Sequence, residues 1–546
     1  MLLAVLVLCS GCGITWHLPT LEATSGTESA NGGMHFSEMT YERPDMQELD
    51  ALVQQVCAVL EHPESAAQAQ EALASFEEFS DRFDTMYNLA DIHVSKNLKD
   101  SSWQEEYAFC AVNAGKMEQA WETVMDASAG CPVSWADHWF DQEQENPYRY
   151  SQQQEPAGPL DGALTQREGE LTAQYQSVLG ELSGLEYQGP TYRRRVEEKL
   201  MPILVELIGV RQKIAASQGY SSYESYAWDE YYNRDYTPQE LADYMEAIRT
   251  ELAPLYHQLW DSEDLRFVWV RSTEEECEQY LSGAAREMGG TVWQAWSDMT
   301  SRGLYDIAYG PYKAEGAFEV YLYSYDSPYL LMNPTGGIRD YLTFAHEFGH
   351  FCNDYAAHGS QQSADVAELY SQGMEFLSVC YAPEPDSALT KHLRQLALAD
   401  CLSTFVEQSL YYTFEHQAYS LQGEELTAEN LTQLYTQISL DYGFSEEEFD
   451  PSEWAEVSHY VTSPMYIASY VVSSAAALEL YGMETQEKGS GFAVYESMLP
   501  VWQDQPVLWF LEEHGLTNPM ADSELAQVAQ IFRRDLALPE DGATKQ

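Results

Sequence analysis

The chain has 546 residues, of which 27 are Lys or Arg and 88 are Asp or Glu, giving a formal net charge of −61 at pH 7. Phosphate contacts need Lys and Arg, so this balance argues strongly against nucleic acid as a partner. The length is sufficient for a large core and more than one lobe. The acidity favours solubility and cationic partners, although an acidic surface is more often only a solvated one.

The first residues resemble a secretory signal. Met1 to Leu8 is an apolar run that is too short to span a bilayer. Cys9-Ser-Gly-Cys12 follows, and Ser-Gly-Cys is typical of a bacterial lipoprotein cleavage site just before the lipidated cysteine. We therefore expect a signal peptide and lipobox at residues 1–12 and an extracytoplasmic protein anchored to the membrane through a lipid on Cys12. A cleaved, secreted form is the alternative.

The next segments are a predicted tether and a helical lobe. Residues 13–39 are rich in Ser, Thr, Gly and Glu, which predicts a flexible tether. Residues 40–160 predict an N-terminal helical lobe, with a first helix that Pro63 stops. Its boundary lies in the Gln- and Pro-rich stretch 141–167. The nine cysteines have no framework spacing, and a pairing of Cys110 with Cys131 stays open.

From residue 161 onward the chain is mainly helical, with one small β element. Helical periodicity covers 171–185, 192–217 with a kink at Pro202, 238–259, 273–301, 387–414 and 464–481. Phe318–Tyr323 and Tyr329–Met332 are β-prone runs separated by a turn signal. This hairpin is either a structural element or an edge on which an extended peptide pairs through main-chain hydrogen bonds.

His346-Glu347-Phe-Gly-His350 follows the hairpin inside a helical run. Two His residues four apart on one helix face have the spacing of a tetrahedral zinc site, and Glu347 between them can act as general base on a metal-activated water. The alternative is two ordinary polar residues in a buried helix. Gly349 disfavours a helix and is explained if a facing element comes close.

A zinc site needs a third protein ligand, which the next helix can supply. Residues 365–381 predict a mostly apolar helix with Glu368 and Glu375 two turns apart on one face. One carboxylate can bind the metal while the other orients a ligand. A solvated acidic face is the alternative, but acids in apolar surroundings are usually paired or metal-bound.

At these residues the chain resembles the M3 zinc metallopeptidases, the group of thimet oligopeptidase and oligoendopeptidase F. The resemblance covers roughly residues 165–540. It is carried by the motif, Ala367 to Glu375, Lys313–Phe318, Pro328–Asn333, His459 to Tyr470 and Arg211 to Tyr223. The chain departs from the group in its short spacing between His350 and Glu368. Thr462-Ser-Pro464 replaces a Gly-rich loop, and Ser473 stands where the thimet branch has a tyrosine.

The resemblance implies a mainly α fold with two helical lobes around a deep substrate channel and a zincin-type catalytic core, here residues 161–546. It implies one Zn²⁺ per chain held by His346, His350 and Glu368, and transition-state donors among His459, Tyr466 and Tyr470. The predicted activity is zinc-dependent hydrolysis of internal bonds in short unfolded peptides, with Glu347 as general base.

Two other functions stay open. One is a peptide-binding lipoprotein that has lost turnover, which the undamaged motif disfavours. The other is a zinc exopeptidase of another family, which the missing Gly-x-Met-Glu-Asn element disfavours. Oligomeric state and cleavage preference have no signature in the sequence.

Overall fold

The computed structural model describes residues 33–131, 162–182, 185–261, 271–360, 362–502, 505–521 and 523–538. The predicted signal peptide and lipobox, most of the predicted tether and most of the predicted lobe boundary lie outside these residues. No helix in the described ranges combines the length and the apolar composition needed to cross a bilayer.

Residues 33–39, the described end of the predicted tether, are mostly exposed, with Phe36 and Met39 partly buried. Phe36–Glu38 is a short 3-10 helix with a capping box at His35. The ring of Phe36 lies 4.1 Å from that of Tyr329, centroid to centroid. The tether at residues 13–39 stays a prediction, and at its described end Phe36 packs against Tyr329.

Three helices form an N-terminal bundle with a core of its own. Their bounds are Met46–Glu61, Ala66–Lys96 and Ser101–Ala129. Each begins after a side-chain cap, at Asp45, Ser65 and Asp100. Asn88 Nδ2 donates to the main-chain oxygen of Tyr321 at 2.8 Å and so ties the bundle to the hairpin. The described cysteines are free thiols, Cys110 and Cys131 among them.

The larger part of the chain is helical around a second core, which confirms the predicted mainly helical fold. Its α-helices are Gly162–Leu182, Pro190–Arg195, Met201–Ser217, Tyr223–Ala227, Pro238–Glu251, Ala253–Trp260, Glu274–Met288, Gly290–Arg302, Arg339–Ala357, Ala364–Cys380, Ala388–Ser403, Ser409–Ala418, Ala428–Asp441, His459–Thr462, Ile467–Gln486, Ser490–Met498, Val507–Glu513 and Glu524–Asp535. The π-helical turns are Val196–Leu200, Trp228–Tyr232 and Thr404–Gln408, and further 3-10 turns are Tyr323–Tyr325, Gly423–Glu425 and Glu453–Glu456.

Two predicted helices are each two helices in the structure. The run 238–259 breaks at Leu252. Pro254 follows, and it has no N–H to donate and its ring clashes with the preceding turn. The run 273–301 breaks at Gly289, whose φ of +75° favours glycine. A π-helical turn ends at Leu200, two residues before Pro202, where the sequence predicts a kink.

The β element is a three-stranded sheet in the order β1-β3-β2, with β1 Tyr305–Asp306, β2 Gly316–Leu322 and β3 Ser327–Asn333. The predicted hairpin is confirmed as β2 and β3, antiparallel from Gly316↔Asn333 to Leu322↔Ser327. The two-residue β1 pairs parallel with β3 and was not predicted, because two residues carry no periodicity. β2 is an outer strand of this sheet.

Candidate metal centre and adjoining cavity

The helix that carries the His-Glu-x-x-His residues, Arg339–Ala357, is called the motif helix here. Its start is fixed by the Asp340 carboxylate, which is 2% exposed. That carboxylate accepts hydrogen bonds from the backbone N–H groups of Thr335, Gly336 and Gly337 and from the Ser272 hydroxyl. The Thr335 hydroxyl donates to it as well. The loop that follows β3 is thereby folded onto the helix, because one buried acid satisfies five donors.

The second helix, Ala364–Cys380, is called the acidic helix and lies directly against the motif helix. A Cβ on Gly349 would lie 2.4 Å from the Tyr370 carbonyl oxygen and 2.7 Å from Ser371 Cα. Only glycine therefore permits this approach. The proximity explains why the motif contains a residue that disfavours a helix.

The two helices bring His346, His350 and Glu368 together. One ligand atom from each lies within 4.8 Å of the other two. His346 and Glu368 are buried and His350 is partly buried. Two imidazoles and one carboxylate are a donor set that suits Zn²⁺ with an open fourth position. The residues present therefore fit the metal that the motif predicts.

Neighbouring side chains orient the cluster. His346 Nδ1 lies 2.7 Å from Glu375 Oε1, so its N–H donates to that carboxylate and Nε2 faces Glu368. The hydroxyls of Tyr466 and Ser371 donate to the two oxygens of Glu368 at 2.9 and 3.1 Å. The carboxylates of the acidic helix thus have different contacts, Glu368 within the cluster and Glu375 behind it.

Glu347 is 2% exposed, and its Oε1 has no hydrogen-bond partner among the described residues. Burial raises the pKa of Glu347 to about 7; His346 opposes the shift, while Glu368 and Glu375 add to it. A buried carboxylate oxygen without a donor is costly unless a group outside the protein satisfies it. A water beside the metal ligands would do so, and a carboxyl group with this pKa can both accept and release a proton near neutral pH.

His459, Tyr466 and Tyr470 lie together next to the metal cluster. His459 Nε2 is 3.3 Å from the Tyr470 hydroxyl, and the two tyrosine rings are 5.3 Å apart, centroid to centroid. His459 and Tyr470 line the cavity described below, whereas Tyr466 contacts Glu368. Burial lowers the pKa of His459 to about 4, so the imidazole is neutral at pH 7.

A cavity of about 440 Å³ opens beside His346 and Glu347. Its wall includes one arginine, Arg339, whose guanidinium lies 2.6 Å from Asp400. Further carboxyl groups on the wall are Glu375, Glu407, Glu453 and Glu456. Burial raises the pKa of Glu407 and of Glu456 to about 7, and their hydrogen-bond partners include tyrosine hydroxyls rather than cations. The wall is therefore rich in carboxyl groups, of which Glu407 and Glu456 are partly protonated near pH 7.

Sequence reasoning missed several residues of this site. Among them are Asp340, Ser371 and Arg234, whose guanidinium pairs with Asp365 in the first turn of the acidic helix. A lone polar residue in a sequence reveals neither burial nor a partner. Arg211 is also buried, although in the sequence it is only the first residue of a segment that carries the resemblance. A signal existed in the scarcity of basic residues, of which the chain has 27. It could not indicate what each arginine contacts.

The comparison with known families agrees with this geometry. The family model for the peptidase M3 N-terminal domain matches residues 36–130, and the model for peptidase family M3 matches residues 283–503. The chain belongs to peptidase family M3. The second M3 match contains the motif helix, the acidic helix and His459 to Tyr470, so the candidate metal centre lies in the part that defines the family.

Individual M3 relatives are distant. An oligoendopeptidase F homolog from Borreliella burgdorferi is 28% identical over 194 residues, which is 32% of this chain and 32% of that protein. The chain thus aligns with about a third of this relative's length. A solved structure named as an oligoendopeptidase F has a TM-score of 0.78 at 20% identity and covers 94% of this chain and 100% of its own. PZ peptidase A with an inhibitor gives 0.78 at 18% identity, covering 93% and 100%. These likenesses show the fold.

Proposed function

We propose that this M3 family member is a zinc-dependent oligoendopeptidase that hydrolyses internal bonds of short, unfolded peptides. The observation that carries the proposal is the convergence of His346, His350 and Glu368 within 4.8 Å beside the buried Glu347, at the wall of the cavity. Membership in a peptidase family supports it.

Bound Zn²⁺ would supply Lewis acidity and a water with a pKa lowered toward about 7. Glu347 takes a proton from the attacking water and passes it to the leaving nitrogen. Tyr470 and His459, which line the cavity, donate hydrogen bonds toward the oxygen on which negative charge develops. The neutral imidazole of His459 does so through a ring N–H. Tyr466 holds the Glu368 carboxylate in its orientation.

The size of the cavity supports a peptide substrate. A volume of about 440 Å³ lies in the usual range for small-ligand sites and is far too small for a folded domain. The role of β2 as an edge for peptide pairing stays a prediction. The Tyr321 carbonyl already accepts from Asn88, so the helix Ala66–Lys96 covers that end of the strand.

Cleavage of a random peptide library, followed by mass spectrometry, tests the proposal. We expect cuts at internal bonds, their loss after treatment with a zinc chelator, and their return when zinc is added. Peptides blocked at both termini should be cut at the same rate as peptides with free termini. Binding without cleavage would favour the peptide-binding alternative, and cleavage confined to free termini would favour an exopeptidase.

The sequence also supports a location outside the cytoplasm, with a lipid on Cys12 as anchor. Mass spectrometry of the mature N-terminus tests this part separately. A diacylglycerol-modified Cys12 is expected, and an intact Met1 would contradict it.

A further inference from the structure

The segment from His459 to Tyr470, called the donor segment here, has an unusual backbone between its two helices. The one-turn helix His459–Thr462 is followed by Ser463, and the helix Ile467–Gln486 begins after Tyr466. Between them Met465 has a φ of +68°, in the left-handed region that non-glycine residues rarely adopt. Such a backbone persists only where surrounding groups hold it in place, and it is commonest at functional sites.

A buried arginine holds the second half of the donor segment. Arg234 Nη1 donates to the Met465 carbonyl at 3.1 Å, and Nη2 donates to Ser469 Oγ at 2.9 Å. The same guanidinium pairs with Asp365 at 3.2 Å, and the two side chains are 0% and 1% exposed. Asp365 lies in the first turn of the acidic helix, one turn before Glu368. Arg234 therefore joins the donor segment to the helix that supplies a metal ligand.

A second buried arginine holds the first half. Arg211 Nη1 and Nη2 donate to the carbonyls of Tyr460 and Val461, each at 2.6 Å. These carbonyls belong to a helix of only one turn, so no N–H group of a following helical turn donates to them. Arg211 Nε pairs with Glu168 at 2.6 Å. The guanidinium thus caps the helix that carries His459 with two parallel hydrogen bonds.

Further side chains bind the bend itself. The Tyr232 hydroxyl donates to the Pro464 carbonyl at 2.6 Å, and the Met465 N–H donates to Glu415 Oε1 at 3.0 Å. Groups from elsewhere in the fold therefore bind both sides of the left-handed residue.

We propose that Arg211 and Arg234 are positioning residues for the peptidase reaction, an inference that rests on the proposed function. Three of the contacts with the donor segment fall next to a site residue, since Tyr460 adjoins His459, Met465 adjoins Tyr466 and Ser469 adjoins Tyr470. Arg211 and Arg234 are two of the three buried arginines among the described residues. Burying such charges is unfavourable unless they are fully paired. A fold that did not have to hold the donor segment in one conformation would not need buried arginines here. The donors are held ready before substrate binds.

The test compares Arg211→Lys and Arg234→Lys with the wild-type enzyme. Lysine keeps the charge but cannot form the two-pronged contact. Arg167→Lys is the matched control, because Arg167 forms exposed ion pairs with Glu170 and Glu206. We measure kcat, KM, zinc content, Tm and the Ki of a phosphinic peptide, whose tetrahedral anion resembles the transition state.

In zinc-loaded, folded variants we expect kcat to fall about 10- to 100-fold while KM changes little, because small displacements of catalytic groups have effects of this size. The phosphinic peptide should lose affinity in parallel with kcat/KM. Unchanged kcat and Ki in both variants would overturn the proposal.

Tyr232→Phe keeps the test decisive if the lysine variants do not fold. It removes the one hydrogen bond to Pro464, for which we expect about a fivefold loss in kcat and in inhibitor affinity. No loss would overturn the proposal. A wild-type chain without zinc-dependent cleavage would instead overturn the proposed function, and the positioning role with it.

Discussion

The contact between His346 Nδ1 and Glu375 Oε1, at 2.7 Å, decides which imidazole nitrogen faces the metal cluster. Because Nδ1–H donates to the carboxylate, Nε2 keeps its lone pair for a cation. His346, which the sequence predicts as a metal ligand, is therefore oriented by Glu375, a carboxylate that is not one of the three predicted ligands. The residues alone left open which carboxylate has which role, and the family resemblance predicted Glu368 as the metal ligand.

Glu375→Ala should weaken zinc binding about 10- to 100-fold, since it removes the partner that orients His346. Competition with a chromophoric chelator measures the dissociation constant. Glu48→Ala is the control, because Glu48 is an exposed acid in the N-terminal bundle whose side chain is 54% exposed. Equal zinc affinity in the two variants would show that Glu375 does not tune the site.

His459 predicts a pH-dependent stability of the apoprotein. Burial lowers its pKa from 6.5 to about 4, so the unfolded chain binds more protons than the folded chain between these values. The associated stability is present above pH 6.5 and is lost as the pH falls toward 4, by at most about 1.4 kcal/mol per pH unit. Urea unfolding at pH 7 and pH 5 should show a smaller loss for His459→Gln than for wild type. An equal loss would contradict a buried neutral imidazole.

The motif helix and the acidic helix are the elements that sequence predicted best. Their apolar periodicity extends over four turns, and their chemistry lies on one face, so both the elements and the metal cluster could be anticipated. The breaks at Leu252 and Gly289 were missed because periodicity continues across them. The contacts of Arg211 and Arg234 with the donor segment join residues more than 200 positions apart, and a single sequence contains no record of such pairs.

Gly349 is where these two elements are most sensitive to substitution. Gly349→Ala places a Cβ 2.4 Å from the Tyr370 oxygen, so the helices must separate. We expect a destabilisation of about 1–3 kcal/mol from overpacking, despite the better helix propensity of alanine, together with weaker zinc binding. Gly169→Ala is the control, because its Cβ would meet nothing within 4 Å and should stabilise the helix Gly162–Leu182. Denaturant unfolding that shows no difference between the variants would contradict the close packing.

The whole molecule carries a net charge of −61, and the cavity wall carries Asp400, Glu407, Glu453 and Glu456 against Arg339. A field of one sign raises the local concentration of oppositely charged substrates and is screened by salt. Peptides with Lys beside the scissile bond should therefore have a kcat/KM about tenfold above Glu-containing counterparts at low ionic strength. The ratio should shrink as salt is raised to about 0.5 M, and a neutral peptide should change little. A ratio independent of salt would contradict electrostatic steering.

The proposed function depends on one zinc ion held by His346, His350 and Glu368, with Glu347 as base. Metal analysis combined with turnover of an internally quenched peptide, for wild type and Glu347→Gln, tests it most directly. We predict about one zinc per chain in both proteins and a rate about 10²- to 10⁴-fold lower in the variant, the usual contribution of a general base. Failure of wild type to retain zinc, or equal turnover in both proteins, would contradict the account.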